Sequence, residues 1–259
     1  MSIKIFSSIR SSLLATLAER KFVLVLDKKN WFYHYWYSSF YPLRRSVWIA
    51  NAATRTPNHA LTENFPLFFR HYLPRKGDTV VDVGAGTGSE LEILSTLVGE
   101  DGSVTAFEAH PETFLQASNT VRISRLSNVH LFNLAALDKN STVTISDLGA
   151  DTANSLLIPG TRKVEAIRLG DFLRKMSIKE INYLKMNIEG AEYLALIGLL
   201  ENIKPKNLCI SCHDFLGTDW GKTYQAVREL LQQQQYKVQP KVEVMGKPWE
   251  SWYIFASLD

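Results

Sequence analysis

Three short stretches hold side chains whose types and spacing could do chemistry. In "KMNIEGAEY" (Lys185 to Tyr193) an amide, Asn187, and two carboxylates, Glu189 and Glu192, follow directly on the apolar "INYL". In "SCHDF" an imidazole and a carboxylate, His213 and Asp214, close another apolar run. In "VVDVGAGTGSE" an apolar run ends in Gly84, Gly86 and Gly88, and glycines there let the backbone turn tightly and approach a ligand. A neutral imidazole suits proton transfer near pH 7. The oxygen ligands Asn187, Glu189 and Asp214 would instead suit a hard divalent ion such as Mg²⁺, which could lower the pKa of a bound hydroxyl.

Such groups need a scaffold that gathers them. From Gly77 onward short Val/Ile/Leu-rich runs alternate with amphipathic segments, which predicts a mostly parallel α/β sheet with helical crossovers. The expected strands are Thr79 to Val83, Val104 to Glu108, Val129 to Asn133, Tyr183 to Asn187 and Leu208 to Cys212. A hairpin or strand pair, "TVTISDL" and "KVEAIRL", is inserted before the fourth of these, and "YKVQP" with "WYIFAS" should close the sheet edge as an antiparallel pair. This is the seven-stranded, Rossmann-like layout of class I methyltransferases, in which ligands collect at the carboxyl ends of the strands. Residues 1–73, which lack glycine and include the aromatic "WFYHYWYSSFY", are expected to form a helical extension or cap ahead of a methyltransferase domain over 74–259.

The glycines fall as G-x-G-x-G rather than the G-x-G-x-x-G of dinucleotide folds, which favours S-adenosylmethionine over NAD. Cofactor contacts are expected from Gly84, Ala85, Gly86 and Gly88 and from Glu108. That acid lies twenty residues past Gly88, where a carboxylate can accept from both ribose hydroxyls. Asp82 either orients the loop or reaches the methionine amino group. Asn133 is expected at the adenine edge, and Glu189 in the cofactor or substrate pocket. Glu192, at a helix start, suits a cap or the positive end of the helix dipole.

On these pieces, with "AFEAHPETF", "NLAALDKNSTVTI" and above all "LKMNIEGAEYLAL", the sequence resembles the FkbM family of S-adenosylmethionine-dependent methyltransferases over roughly Gly77 to His213. The family's Lys-Ile-Asp-x-Glu-Gly-x-Glu motif is matched by Lys185, Glu189, Gly190 and Glu192. Asn187 stands at the aspartate position, Gly86 where the family often has Asn, and Ala109 where it often has Pro. The resemblance implies O-methylation of a hydroxyl on a sugar, polyketide or other natural product. His213 is then the expected general base, Asp214 orients it or binds substrate, and Asn187 completes the catalytic rim. Two alternatives stand beside this reading: a Mg²⁺-assisted enzyme using Asn187, Glu189 and Asp214, and a cofactor-binding module without catalysis.

Composition excludes other classes. The 29 basic and 26 acidic residues leave a formal charge of +3, too dispersed for a nucleic-acid footprint, so nucleic acid is not expected as a partner; a hydroxylated small molecule or glycan is the partner that the resemblance implies. The only two cysteines, Cys209 and Cys212, alternate along a strand and point to a reducing compartment, the cytoplasm, rather than to a disulfide or redox pair. No apolar run approaches the roughly 18–20 residues of a membrane span. Ile5, Ile9, Leu13 and Leu17 form an amphipathic stripe, expected to dock on the domain, with a membrane-surface role as the alternative. The aromatic segment is expected to act as a lid that also packs, with a homodimer interface and a membrane-surface patch as alternatives.

Overall fold

The computed structural model describes residues 22–27, 32–37, 44–47, 65–88, 90–146, 154–156 and 160–258. Three strands come first, β1 (Phe22–Asp27), β2 (Phe32–Tyr37) and β3 (Arg44–Val47), paired antiparallel in that order. The expectation of a helical extension is therefore corrected over this stretch. "FVLVLD" and "FYHYWY" are runs of β-branched and aromatic residues, which favour a pleated strand over a helix. The stripe of the first eighteen residues, and the side chains of the aromatic segment with their expected role as a lid, lie outside the described residues.

The main sheet is built from β4 (Thr79–Val83), β5 (Ser103–Phe107), β6 (Val129–Phe132), β10 (Tyr183–Met186), β11 (Asn207–Ser211), β12 (Lys237–Val238) and β13 (Tyr253–Ser257). Their spatial order is β12-β13-β11-β10-β4-β5-β6. Neighbours from β11 to β6 are parallel, and β13 runs antiparallel to both β11 and β12. The seven-stranded sheet with its reversed terminal strand is thus as the sequence led us to expect. The remaining strands, β7 (Ala135–Leu137), β8 (Ser141–Ile145) and β9 (Arg162–Arg168), form a small separate sheet in the order β7-β9-β8. The expected inserted pair is β8 with β9, and β7 is an addition that the three-residue run did not announce.

The helices are α1 (Phe65–Phe68), α2 (Leu91–Val98), α3 (Pro111–Ser124), α4 (Leu169–Lys175), α5 (Glu192–Leu200) and α6 (Tyr224–Gln233). They cover both faces of the sheet, and the strands, buried on both faces, read as near-continuous apolar runs. Val81, Val83, Leu184, Met186, Ile210 and Cys212 face one core with α4, α5 and α6. Val80, Tyr183, Cys209 and Phe255 face the other with α1 and α2. The two cysteines are free, buried and on opposite faces. Among the described residues no helix is long and apolar enough to cross a membrane.

The chain proceeds outward from β4 through β5 to β6, then returns to place β10 on the other side of β4. The order of strands therefore switches between β4 and β10, where a crevice opens at the carboxyl ends.

Candidate active site

A cleft of about 320 Å³ occupies that switch point, lined by the loop Gly84 to Thr87, the end of β5 with Glu108, and Lys185, Asn187 and Glu189 after β10. The volume falls at the small end of the range of roughly 300–1,000 Å³ typical for cofactor and ligand sites.

The loop wall is a backbone construction. Gly84 and Ala85 donate their N–H groups to the Phe107 carbonyl, at 2.9 and 3.0 Å, and Gly88 donates to Ala85. Gly84 has φ +83°, and a Cβ there would lie 1.9 Å from the Asn187 carbonyl, so only glycine lets the loop pass beneath the β10 end. Gly86 has φ +56° and open space where a Cβ would stand. Gly88 instead packs on α3, with Ala117 and Thr120 atoms 3.2 Å from a Cβ position, and does not line the cleft. Its expected cofactor contact is corrected to a packing role.

Glu108 holds this wall. One carboxylate oxygen accepts the Gly86 N–H at 2.9 Å and the other the His110 N–H at 2.8 Å. Burial pushes its carboxyl up to about 7 against the pull of those two amide hydrogen bonds. Each oxygen retains a further lone pair for a ligand hydroxyl. Asn133 lies outside the cleft lining and donates its side-chain amide to the Glu108 and Ala109 carbonyls at 2.8 and 3.0 Å. The adenine contact expected of it gives way to a role in fixing the end of β5, where its amide satisfies both carbonyls.

Beneath the loop runs a residue that the sequence reading matched to a motif without assigning it a role. The Lys185 ammonium lies 2.8 Å from Asp82 and 3.3 Å from the Gly84 carbonyl, and 5.1 Å from the Phe68 ring centre. Burial works against its charge, but Asp82 outweighs it and keeps the ammonium protonated well above the usual lysine range. Asp82 is fully buried and does not line the cleft; one oxygen bonds Lys185, through which it orients the loop, and the other has no partner among the described residues. A lysine inside the apolar strand "YLKM" was the available signal, since a charge is buried only when paired.

The opposite wall is an ion cluster. His213 is buried, with Nδ1 3.0 Å from Glu192 and Nε2 3.0 Å from Glu189. Burial disfavours its charge, yet the hydrogen bonds it donates to both carboxylates raise it to about 9. At pH 7 the ring is an imidazolium without a free lone pair, and it does not line the cleft. The expected general base is therefore corrected: His213 has no nitrogen with which to take a proton from a substrate. Asp214 is corrected too, because its carboxylate accepts the Thr223 and Tyr224 N–H groups at 3.1 and 2.9 Å and so caps α6. Glu192 exceeds the cap expected of it: fully buried, it accepts from Gly190 N–H, His213 and Thr223 Oγ1, each at 3.0 Å.

On this wall two of the expected residues reach the cleft. Glu189 lines it, with φ +52°, an uncommon left-handed backbone for a non-glycine residue. Asn187 lines it with a buried Oδ1 that has no hydrogen-bond partner among the described residues. An unpartnered buried acceptor is costly unless a ligand supplies a donor. The metal reading finds no such support: Asp214 faces α6, Glu189 is held by His213, and among the described residues no His/Cys/Asp/Glu group of three could hold an ion.

The group implied by the sequence, S-adenosylmethionine, can be tested against these walls. The open face at Gly86, the spare lone pairs of Glu108, the Asn187 acceptor and the surplus of carboxylates along the cleft fit a cationic, hydroxyl-bearing adenosyl ligand. The only lysine among the described lining residues is neutralised by Asp82.

Residues 82–238 match the family model of the methyltransferase FkbM domain. Ribosomal RNA large subunit methyltransferase E of Natronomonas pharaonis is 29% identical over 97 residues, which are 38% of this chain and 38% of that protein. Protein-L-isoaspartate O-methyltransferase of Methanococcus aeolicus is 26% identical over 139 residues, 48% of this chain and 62% of that protein. The chain thus spans less than two thirds of either curated relative. Among solved structures, Aeropyrum pernix fibrillarin with natively bound S-adenosyl-L-methionine superposes with a TM-score of 0.47 at 12% identity, covering 91% of this chain and 98% of that one. An S-adenosylmethionine-dependent methyltransferase from Aquifex aeolicus gives 0.43 at 20% identity, covering 79% and 97%. With a family model that takes in the glycine loop, the Lys185 to Glu192 motif and the His213 rim in one continuous match, the chain belongs to the FkbM methyltransferase-domain family.

Proposed function

We propose that the protein is an S-adenosylmethionine-dependent O-methyltransferase whose acceptor is a hydroxyl of a small molecule or glycan. The observation that carries this reading is the pair of acceptors on the rim wall, the unpartnered Asn187 Oδ1 and the Glu189 carboxylate, facing a cleft that fits the adenosyl ligand. The Asn187 carbonyl oxygen and the Glu189 carboxylate are both hydrogen-bond acceptors, which suits a methyl acceptor that donates a hydrogen bond, as a hydroxyl does. Membership of the FkbM family and the O-methyltransferase named among the relatives support the same class. The two free, buried thiols support a reducing compartment.

The loop around Gly86, Glu108 and Asn187 would hold the cofactor, which when bound supplies a methyl carbon on a cationic sulfur. Asn187 and Glu189 orient the acceptor oxygen, and Glu189 takes the hydroxyl proton as that oxygen becomes alkylated. Alignment supplies the largest share, up to about 7–11 kcal/mol for reacting groups held in near-attack geometry. The carboxylate adds less, about 10²–10⁴-fold.

The test is transfer of an isotope-labelled methyl group into a panel of hydroxylated small molecules and glycans, with and without Glu189→Gln. Label should appear in an alkali-stable ether, and the variant should lower turnover by about 10²–10⁴-fold. Label confined to carboxyl esters or nucleic acid, or full turnover by the variant, would sink the reading.

A further inference from the structure

His213 does not itself line the cleft, yet both of its ring nitrogens are bonded to carboxylates of the rim wall. A neutral imidazole carries one N–H and can donate to one carboxylate only. Here both ring nitrogens lie 3.0 Å from carboxylate oxygens, Nδ1 from Glu192 on α5 and Nε2 from Glu189 in the turn before it. That geometry calls for two N–H donors, and the ring's rise to about 9 agrees with it. Glu192 in turn ties down the Gly190 N–H and Thr223 Oγ1. The turn between β10 and α5 passes through two left-handed residues, Glu189 at φ +52° and Gly190 at φ +102°. Left-handed backbone at a non-glycine residue costs about 1–2 kcal/mol and persists only where its surroundings hold it. Ser155 Oγ grips the Glu189 carbonyl at 2.7 Å, and His213 grips its carboxylate. The other ionisable groups near the ring do not compete. Asp214 faces the start of α6, and the buried Cys212 thiol is pushed far above its usual range and stays neutral.

We propose that His213 is a positioning residue that bridges Glu192 to Glu189 and thereby holds the Glu189 carboxylate and its left-handed turn on the cleft wall. This rests on the reading of Glu189 as the group that faces the acceptor. The bridge is asymmetric. The Glu192 side chain is 0% exposed and that of Glu189 is 20% exposed. When the ring loses a proton, the remaining N–H stays with Glu192, whose unpaired burial would be the more costly, and Glu189 is released toward water. The hold on Glu189 is complete at neutral pH and lost as pH rises through about 9.

A double-mutant cycle of Glu189→Gln and His213→Gln tests the proposal. The single His213→Gln variant should lose about tenfold or more in turnover with cofactor affinity unchanged, and should add almost nothing to the loss in Glu189→Gln, as expected for residues that act through one another. Losses that multiply would overturn it. Should His213→Gln fail to fold, ¹⁵N-histidine NMR of the wild-type protein decides. Two protonated ring nitrogens at pH 7.5, titrating near pH 9, with the titration moved to lower pH in Glu189→Gln, support the bridge. A ring already neutral at pH 7.5, or a titration that Glu189→Gln leaves in place, overturns it. The proton-accepting role of Glu189 fails separately, by full turnover in Glu189→Gln with the wild-type ring still doubly protonated.

Discussion

The two walls of the cleft rest on different physics. The loop wall, Gly84 to Thr87 with Glu108, is made of backbone whose close approach to the β10 end only glycine permits at Gly84, closed by a single carboxylate across two amides. The rim wall, Asn187 to Glu192 with His213, is made of side chains whose charges hold one another in place out of water. A backbone wall is fixed by conformation and tolerates changes of charge. An ionic wall is fixed by pairing, so removing one partner leaves the other buried and unsatisfied. The first suits a ligand that is always the same, the second a surface whose detail can be changed without refolding the loop.

The largest break in that comparison should come at the seam. Lys185 belongs to the strand behind the rim wall but bonds Asp82 and the Gly84 carbonyl beneath the loop wall. Lys185→Met leaves Asp82 as an uncompensated buried carboxylate, and should cost about 3–5 kcal/mol in chemical denaturation. Adding Asp82→Leu removes the stranded charge, and the double variant should recover most of that stability, as buried pairs replaced by apolar residues commonly do. It should not recover cofactor affinity if the pair sets the loop. A double variant as unstable as Lys185→Met would mean that the ammonium acts through its contacts with Gly84 and Phe68 and not through Asp82.

The same division governs how much could be read from the sequence. The loop wall was legible because glycine spacing after an apolar strand is a local signal, and Glu108 lies at a fixed distance along a repeating βα unit. The rim wall was legible in its inventory and not in its roles. His213 looked like a base because its partners are 21 and 24 residues away in sequence, and nothing local says that both of its nitrogens meet carboxylates. Asp214 looked catalytic for the same reason, its true partners being the first amides of α6. The strands of the main sheet could be placed to within a residue or so from buried apolar runs. The aromatic N-terminal stretch, read as helix, pairs as strands, since aromatic and β-branched residues favour a pleated strand.

Acid should separate the walls next. Glu108 ionises only near pH 7, since burial raises its carboxyl, and a ligand's two hydroxyls need it ionised to accept from both. Cofactor affinity measured by calorimetry should be flat above pH 7 and fall toward tenfold per unit below it, about 1.4 kcal/mol per unit. The folding linkage has the opposite sign. A carboxyl raised in the folded state contributes stability that is complete below its unfolded value, near 4.5, and lost as pH rises through about 7. His213, raised to about 9, keeps its charge across this window and does not contribute to the change. Affinity that holds level down to pH 5.5 would mean that Glu108 closes the loop without touching the ligand.

The smallest effect expected is also the most selective. At Gly84 an added Cβ would collide with the Asn187 carbonyl, and any substitution there disturbs both walls together. At Gly86 the Cβ position is open, and the only structural penalty is the left-handed backbone at φ +56°, about 1 kcal/mol. Gly86→Ala should therefore fold with a stability loss near that value, read from the denaturation midpoint. Its Cβ would occupy space on the cleft wall that a ligand needs, so cofactor affinity should fall by more than stability does. The ¹⁵N titration of His213 should not move, because the rim cluster has no bond to Gly86. A Gly86→Ala variant that shifts the His213 titration would show that the two walls are coupled, and that the division between a backbone wall and an ionic wall is wrong.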